Sequence, residues 1–359
     1  MPQPDPIAFI RDGHGWIGEG AVERGDFAGA DAYAAARSWW DALRAQAMHE
    51  GRETGPVAFG SFPFDPASPA GAVLLIPSRV VRVDGAAPRL GSAPLPEAEV
   101  AEGSMSPEAY MTGVARIAAA IGRGELDKAV LARDVVIRPA AAVDPGTLLD
   151  GLLAAHPAAS VFAVDGLLGA SPETLVTVHD GTVTARVLAG TIAPGEGARL
   201  AASAKDQREH ELAARSVLEA LAPHVEGLEA EGPFLLDLPH LTHLATDVTG
   251  RIVDGSDVLA LVEALHPTAA VAGTPTAAAM RWIRELEPAD RGRYAGPVGW
   301  MDAAGNGEWA IALRAAQARP DGSWLAFAGA GIMADSDPAA ELAETDLKLR
   351  PILEAFDAG

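Results

Sequence analysis

The stretch GPVGWMDAAGNGEWAIALRAAQARPDGSWLAFAGA, residues 296–330, alternates short apolar runs with turn residues. Residues 296–301, 309–316 and 324–330 read as strands, joined by a Gly/Asn-rich turn and by Asp321-Gly322. Upstream, Asp180-Gly181 stands between the apolar runs 175–178 and 183–188, a hairpin signal. Residues 128–137, 57–59 and 72–83 are apolar enough to be strands as well. Runs of adjacent strands separated by helices predict an α+β fold with mainly antiparallel sheets, not an alternating βαβ pattern.

Helix signals frame these strands. Ser106-Pro107-Glu108 supplies an N-cap, a proline at the first helical position and an acid in the first turn. Tyr110, Val114, Ile117 and Ile121 then recur at helical spacing until Gly122 and Gly124. Ser203-Ala-Lys-Asp206 has capping-box spacing and opens a helix to about Leu221. Further helices are predicted over 29–50, 256–265 and 276–286, and another from Asp337-Pro338. Gly13-His14-Gly15 and Gly18-Glu19-Gly20 read as turns, because no strand-to-helix context makes either a phosphate loop. The Pro-containing stretch 93–107 is the expected boundary between a variable region, 1–104, and a core, 105–356.

Composition narrows the function. The 359 residues carry 49 Asp and Glu against 27 Lys and Arg, a net charge of −22. That argues against a nucleic-acid binder, which needs basic patches to displace counterions, and against an anionic membrane surface. With no cysteine, disulfides and thiol catalysis are excluded. No apolar run approaches the ~20 residues that span a bilayer, and the first residues carry no secretory pattern, so a cytoplasmic location is expected. Of the basic residues 24 are arginine and three are lysine: Lys128, Lys205 and Lys348.

Several segments hold residue types suited to acid–base or metal chemistry. Gly329-Ala330-Gly331-Ile332 ends a strand just ahead of a helix, where free backbone N–H groups can meet an anion. On that helix Glu341, Glu344 and Lys348 share one face. A solvated Glu–Lys face explains this spacing too. Beside an anion-binding loop, the two carboxylates suit a hard divalent cation bridging to an anionic ligand, and Mg²⁺ fits best. Glu209 lies with Leu212, Ala213, Ser216 and Ala220 on a small or apolar face, as a paired or ligating carboxylate would; His210 and Glu211 fit exposed positions. Lys128 opens an apolar strand, where burial favours the neutral amine of a general base. A lysine snorkelling from a strand end reads the same way. Glu173, before the strand at 175, suits a general acid or a turn residue. His243, Tyr294 and Arg314 sit in apolar segments, and an inward Arg314 needs an anion partner.

Together the strings LDKAVLAR (126–133), ASPETLV (170–176), LAGTIAPG (188–195), SAKDQREHEL (203–212), HLATDVTG (243–250), LHPTAAVAGTP (265–275), YAGPVGW (294–300), ALRAA (312–316) and GAGIMADSDPAAELAETDLK (329–348) resemble the chorismate-utilising enzymes, and among these the isochorismate synthases. They run through nearly all of 105–356 and include all three lysines; the first hundred residues match loosely.

The resemblance implies two stacked, mainly antiparallel sheets surrounded by helices, with chorismate and Mg²⁺ in a cleft. It implies Lys128 as general base and Glu173 as general acid, with Glu209, Glu344 and Glu341 at the metal. Substrate contacts are implied for Gly190, Thr191, His243, Ala270, Tyr294, Arg314, Gly329, Gly331 and Lys348. Family members that admit ammonia carry Gln where Lys128 stands, and those with a covalent lysine carry it in place of Ala189. A base at 128 and none at 189 therefore imply water as the attacking group. Ala270 resembles the isochorismate synthases, where salicylate synthases tend to carry Thr. The expected activity is conversion of chorismate to isochorismate, by a monomer, for menaquinone or siderophore synthesis. Alternatives are a salicylate synthase, the chorismate-binding subunit of an amidotransferase, or a non-catalytic chorismate-binding protein.

Overall fold

Every strand pairing in the structure, a computed structural model describing residues 5–49, 55–237 and 241–357, is antiparallel. The chain runs β1 (Ile7–Arg11), β2 (His14–Phe27), α1 (Ala32–His49), β3 (Val57–Ser61), β4 (Ala72–Asp84), β5 (Ala98–Glu102), α2 (Pro107–Gly122) and β6 (Lys128–Pro139). It continues through α3 (Pro145–Ala155), β7 (Ser160–Val164), β8 (Leu167–Ser171), β9 (Thr174–His179), β10 (Thr182–Ile192), α4 (Gly197–Ala202), α5 (Ala204–Leu221), β11 (Val225–Asp237) and β12 (Thr242–Ile252). Then follow α6 (Val258–Leu265), β13 (Gly273–Thr274), α7 (Thr276–Leu286), β14 (Pro297–Asp302), β15 (Gly307–Ile311), β16 (Ala315–Ala318), β17 (Trp324–Ile332) and α8 (Pro338–Asp357).

The pairings trace one folded ribbon. Its order is β11-β12-β10-β9-β15-β14-β3-β4-β2-β1-β7-β8-β16-β17-β6, with β5 and β13 sharing the outer edge of β6. The long strands β2 and β4 join the two halves, and β1 and β7 pack on β3 and β14. Ile7, Phe9 and Phe162 from one half meet Val57, Phe59 and Val298 from the other in a buried layer. The expected α+β fold of two stacked sheets thus forms, with the sheets continuous through β2 and β4. Helices cover the outer faces: α2 and α7 lie on β6 and β17, α5 and α6 on β9 and β10, and α3 and α8 on the far end of the second sheet. The longer helices bury apolar stripes at helical spacing, such as Tyr110, Val114 and Ile117 in α2. Ser106 caps α2 by accepting from Ala109 N, and Ser203 caps α5 by accepting from Asp206 N.

Several sequence expectations are changed or sharpened. The strand expected over 309–316 is two: β15 stops at Ile311, and Arg314, at φ 51°, turns the chain into β16. β15 pairs in the first sheet and β16 in the second, so the chain changes layer at residues 312–314. Asp12-Gly13 makes the β1–β2 turn, whereas Gly18-Glu19-Gly20 lies inside β2, at a register irregularity between Glu19 and Val22. His210 is buried, not exposed. The stretch 93–107 contains β5, paired with the end of β6. The helix expected over 29–50 begins at Ala32, and Glu50 lies outside the described residues.

Candidate active site

Strand ends from both sheets converge on one cavity. β10 and β12 bring Gly190, Thr191 and His243, the β8–β9 turn brings Glu173, and the crossing brings Arg314. From the other sheet β17 contributes Gly329 and Gly331, flanked by Glu209 of α5 and Lys348 of α8; Ala270 and Tyr294 complete that part of the wall. Of the residues expected at the site, Lys128, Glu341 and Glu344 are the ones that do not themselves line this cavity; Lys128 and Glu344 stand beside it through their contacts with Glu209 and Lys348, and Glu341 pairs with Lys205, which does not line it either. Sequence reasoning did not place Val130, Leu188, Val271, Arg291 or Leu313 in the wall.

The three lysines each pair with one of three glutamates. Lys128 Nζ lies 3.1 Å from Glu209 Oε1, Lys205 Nζ lies 2.5 Å from Glu341 Oε1, and Lys348 Nζ lies 2.5 Å from Glu344 Oε1. Lys348 also donates to Gly329 O at 3.0 Å. Lys128 is fully buried, and its ion pair is not aligned as a directed hydrogen bond. Burial alone would raise the Glu209 carboxyl, but Lys128, Lys205 and Lys348 outweigh it and hold the group below its usual range. Glu341 moves the other way: burial and then the charge of Glu344 raise it, against Lys205. Gly331 makes room for this cluster, since a Cβ there would lie 2.0 Å from Glu209 Oε1 and 3.0 Å from Lys128 Cε.

Glu173 is a different kind of carboxyl. It is 5% exposed, and burial raises its pKa to about 7 even though Lys128, Arg314 and Lys348 pull it down. At neutral pH it holds a proton about half the time, as a general acid requires. His243 is driven well below its ordinary value by burial, then by Arg314 and Lys348, so the ring is neutral. Its Nδ1 is 3.0 Å from Thr191 Oγ1, and its buried Nε2 has no partner among the described residues. Gly190, at φ 80°, sits at the bulge of β10 that brings Thr191 opposite His243. Arg314 is buried near Glu173, Glu344 and Tyr294, and Tyr294 stacks on Phe327 with ring centroids 5.2 Å apart. His210 stands behind this wall, with Nε2 2.7 Å from Thr246 Oγ1 and Nδ1 3.2 Å from Ala189 O.

Among the described residues no three His, Cys, Asp or Glu side chains converge into a ready-made metal cage. The donor set nonetheless suits a hard cation. Glu209, Glu341 and Glu344 offer only carboxylate oxygens, and the charges of Glu341 and Glu344 act on each other. Each of the three carboxylates is paired with a lysine. Nucleophilic catalysis by a Ser-His-Asp triad has no counterpart in the cavity.

A family model described as chorismate binding enzyme matches residues 87–357. The chain is 36% identical to the salicylate biosynthesis isochorismate synthase of Pseudomonas aeruginosa over 294 residues, which cover 78% of this chain and 61% of that protein. It is 39% identical to isochorismate synthase EntC of Escherichia coli K12 over 337 residues, 88% of this chain and 84% of that one. In three dimensions it resembles a Bacillus anthracis protein proposed as a 2,3-dihydroxybenzoate-specific isochorismate synthase. The TM-score is 0.88 at 30% identity, with 99% of this chain and 97% of that chain covered.

Proposed function

Because the chain belongs to the chorismate-binding enzyme family, we propose that it is an isochorismate synthase, converting chorismate to isochorismate for menaquinone or siderophore synthesis. The observation that supports this most is a carboxyl of pKa about 7, Glu173, in the cavity wall and within the electrostatic reach of a fully buried lysine, Lys128, that stands beside the cavity. In this reading Lys128 acts in its neutral form, its lone pair taking a proton from the water that attacks C2 of the ring. Glu173 gives a proton to the C4 hydroxyl, which leaves as water while the ring double bonds shift. Arg314, Tyr294, Lys348 and the backbone at Gly329 and Gly331 hold the substrate carboxylates, and Gly190, Thr191, His243 and Ala270 line the ring. Mg²⁺, held by Glu209 and Glu344 with Glu341 beside them, would neutralise the ring carboxylate, which matters in a chain of net charge −22.

We assign residues 105–356 as the catalytic core, since every residue named above lies there. Residues 1–104 act as support, through the pairing of β1 with β7, β3 with β14 and β5 with β6. The enzyme is assigned to the cytoplasm as a monomer; no helix among the described residues is long and apolar enough to cross a membrane.

The test is purified protein with chorismate and Mg²⁺, with products separated by chromatography beside a pyruvate-coupled assay. Isochorismate approaching equilibrium without pyruvate is expected, and chelation of Mg²⁺ should stop it. Salicylate with stoichiometric pyruvate would move the assignment to a salicylate synthase. No product at all would leave a binding role or a missing subunit.

The metal assignment has its own test in Gly331→Ala. The new methyl displaces Glu209, and the obstructing atoms are the ends of flexible side chains, so the fold should survive. Turnover should fall by at least about tenfold and need more Mg²⁺ for half-saturation, the cost of a misplaced first ligand. A Mg²⁺ requirement unchanged from the native chain would detach Glu209 from the metal.

A further inference from the structure

β6 is only partly flanked on its outer edge. β13 covers Lys128 and Ala129, Val130 N donates to Ala272 O at 2.8 Å, and β5 takes up the edge again at Val135. Between them the edge is completed by side chains. Glu287, the C-cap of α7, and Arg291 form an ion pair whose side chains are 5% and 2% exposed. Arg291 donates through Nε to Glu287 Oε2 at 2.8 Å and through Nη2 to Glu287 Oε1 at 2.6 Å. Nη2 also donates to Val130 O at 2.8 Å, Nη1 donates to Val271 O at 3.0 Å, and Glu287 Oε1 accepts from Ala132 N at 2.8 Å. The Phe64 ring lies 4.2 Å from the guanidinium carbon.

The pair does the work of a missing strand segment. Three buried backbone groups, Val130 O, Ala132 N and Val271 O, take their partners from it and would otherwise be orphaned. Two of these groups belong to residues that line the cavity, Val130 and Val271, Ala270 adjoins them, and Arg291 reaches the wall between them with all its printed hydrogen bonds made to the protein. A bidentate guanidinium fixes distance and angle together, which a lysine ammonium cannot do.

We propose that Glu287 and Arg291 are positioning residues for substrate binding, setting the gap between the 265–272 wall and the strand that begins with Lys128. This rests on the chorismate reading of the cavity. β6 is gripped on its other edge by β17 from Ala129 to Ile137, so Lys128 keeps its place when the pair is removed. The wall up to Val271, which is otherwise tied to β6 only beyond it, at Ala272 and β13, loses its own hold. Loss of the pair therefore weakens substrate binding and spares the proton transfers.

The experiment compares the native chain with Glu287→Leu/Arg291→Met, which leaves no lone buried charge, and with Arg291→Lys. Thermal melts establish that each is folded. In the double variant the KM for chorismate should rise about tenfold with kcat within about threefold, and Arg291→Lys should lie between it and the native chain. If the double variant does not fold, Arg291→Lys carries the test, with a KM rise of at least about threefold. A folded variant with native KM overturns the proposal, and so does a fall in kcat at native KM. If the native chain itself leaves chorismate unchanged, the functional reading has failed instead. Calorimetric binding of chorismate then decides the positioning role, with about tenfold weaker binding expected in the double variant and native affinity overturning it.

Discussion

Glu173→Gln should lower kcat/KM for isochorismate formation by about 10³-fold, in the middle of the range for a positioned general acid. The argument rests on where the carboxyl sits. Burial raises its pKa from 4.5 to about 7 against the pull of Lys128, Arg314 and Lys348. The protonated form that donates to the C4 hydroxyl is therefore available at neutral pH and drains away above it. In the native chain kcat/KM should fall as pH rises through about 7, and the residual rate of the Gln variant should lack that alkaline limb.

Stability should move in the opposite sense. A carboxyl whose folded pKa is raised contributes fully to stability below about 4.5, and the contribution is lost as pH rises through about 7. Glutamine does not ionise, so the variant should be the more stable protein above that range, by about 3 kcal/mol from linkage. The two proteins should converge in acid. Rates and melting curves taken across pH measure both effects on the same samples, and native kcat/KM in the variant would remove Glu173 as the acid.

Lys128→Gln should be as damaging, about 10³-fold in turnover with water as the nucleophile. Glutamine keeps a hydrogen-bonding head at the start of β6 but has no basic lone pair to take the proton from water. The substitution also strips Glu209 of its nearest cation, yet Lys205 and Lys348 still act on that carboxylate. The fold should therefore hold, as circular dichroism and melting curves would show, while the reaction stops. Turnover close to native in a folded Lys128→Gln protein would end the base assignment.

What could be read from the sequence was local in origin. Ser106 and Ser203 announce α2 and α5 because capping is settled within four residues. Asp180-Gly181 announces its hairpin for the same reason. Asp12-Gly13 and Asp165-Gly166 make the same kind of turn, with both residues at positive φ, between β1 and β2 and between β7 and β8. Gly13 was read only within the turn Gly13-His14-Gly15, and Asp165-Gly166 was not read as a turn. β11 gave no alternating signal because most of its side chains face solvent.

The break at Arg314 is set by tertiary structure. A left-handed arginine has no signature in composition, and it exists because the chain must change sheets there. His210 looked like a surface residue beside Glu211, and only the packed structure supplies Thr246 and Ala189 as its partners. The candidate site was legible as a set of residue types and motif strings. Its wiring was legible only for Glu344 and Lys348, four apart on one helix; Lys128 and Lys205 find their glutamates on other elements, and the Glu287–Arg291 pair reveals its purpose only where β13 gives out.

The confinement of lysine to the carboxylate cluster makes the exterior of this protein chemically silent to amine reagents. Side-chain exposure is 0% for Lys128, 24% for Lys205 and 13% for Lys348, and every other side-chain cation of the Lys/Arg type is a guanidinium. Among side-chain amines, Lys205 is the most accessible and Lys128 the least, so an acylating label has few targets near the surface to dilute its signal. Mass added to the intact chain reports how often the interior cluster opens to the medium, lysine by lysine, and a cation or substrate that closes the cluster would be recorded as protection without any engineered probe.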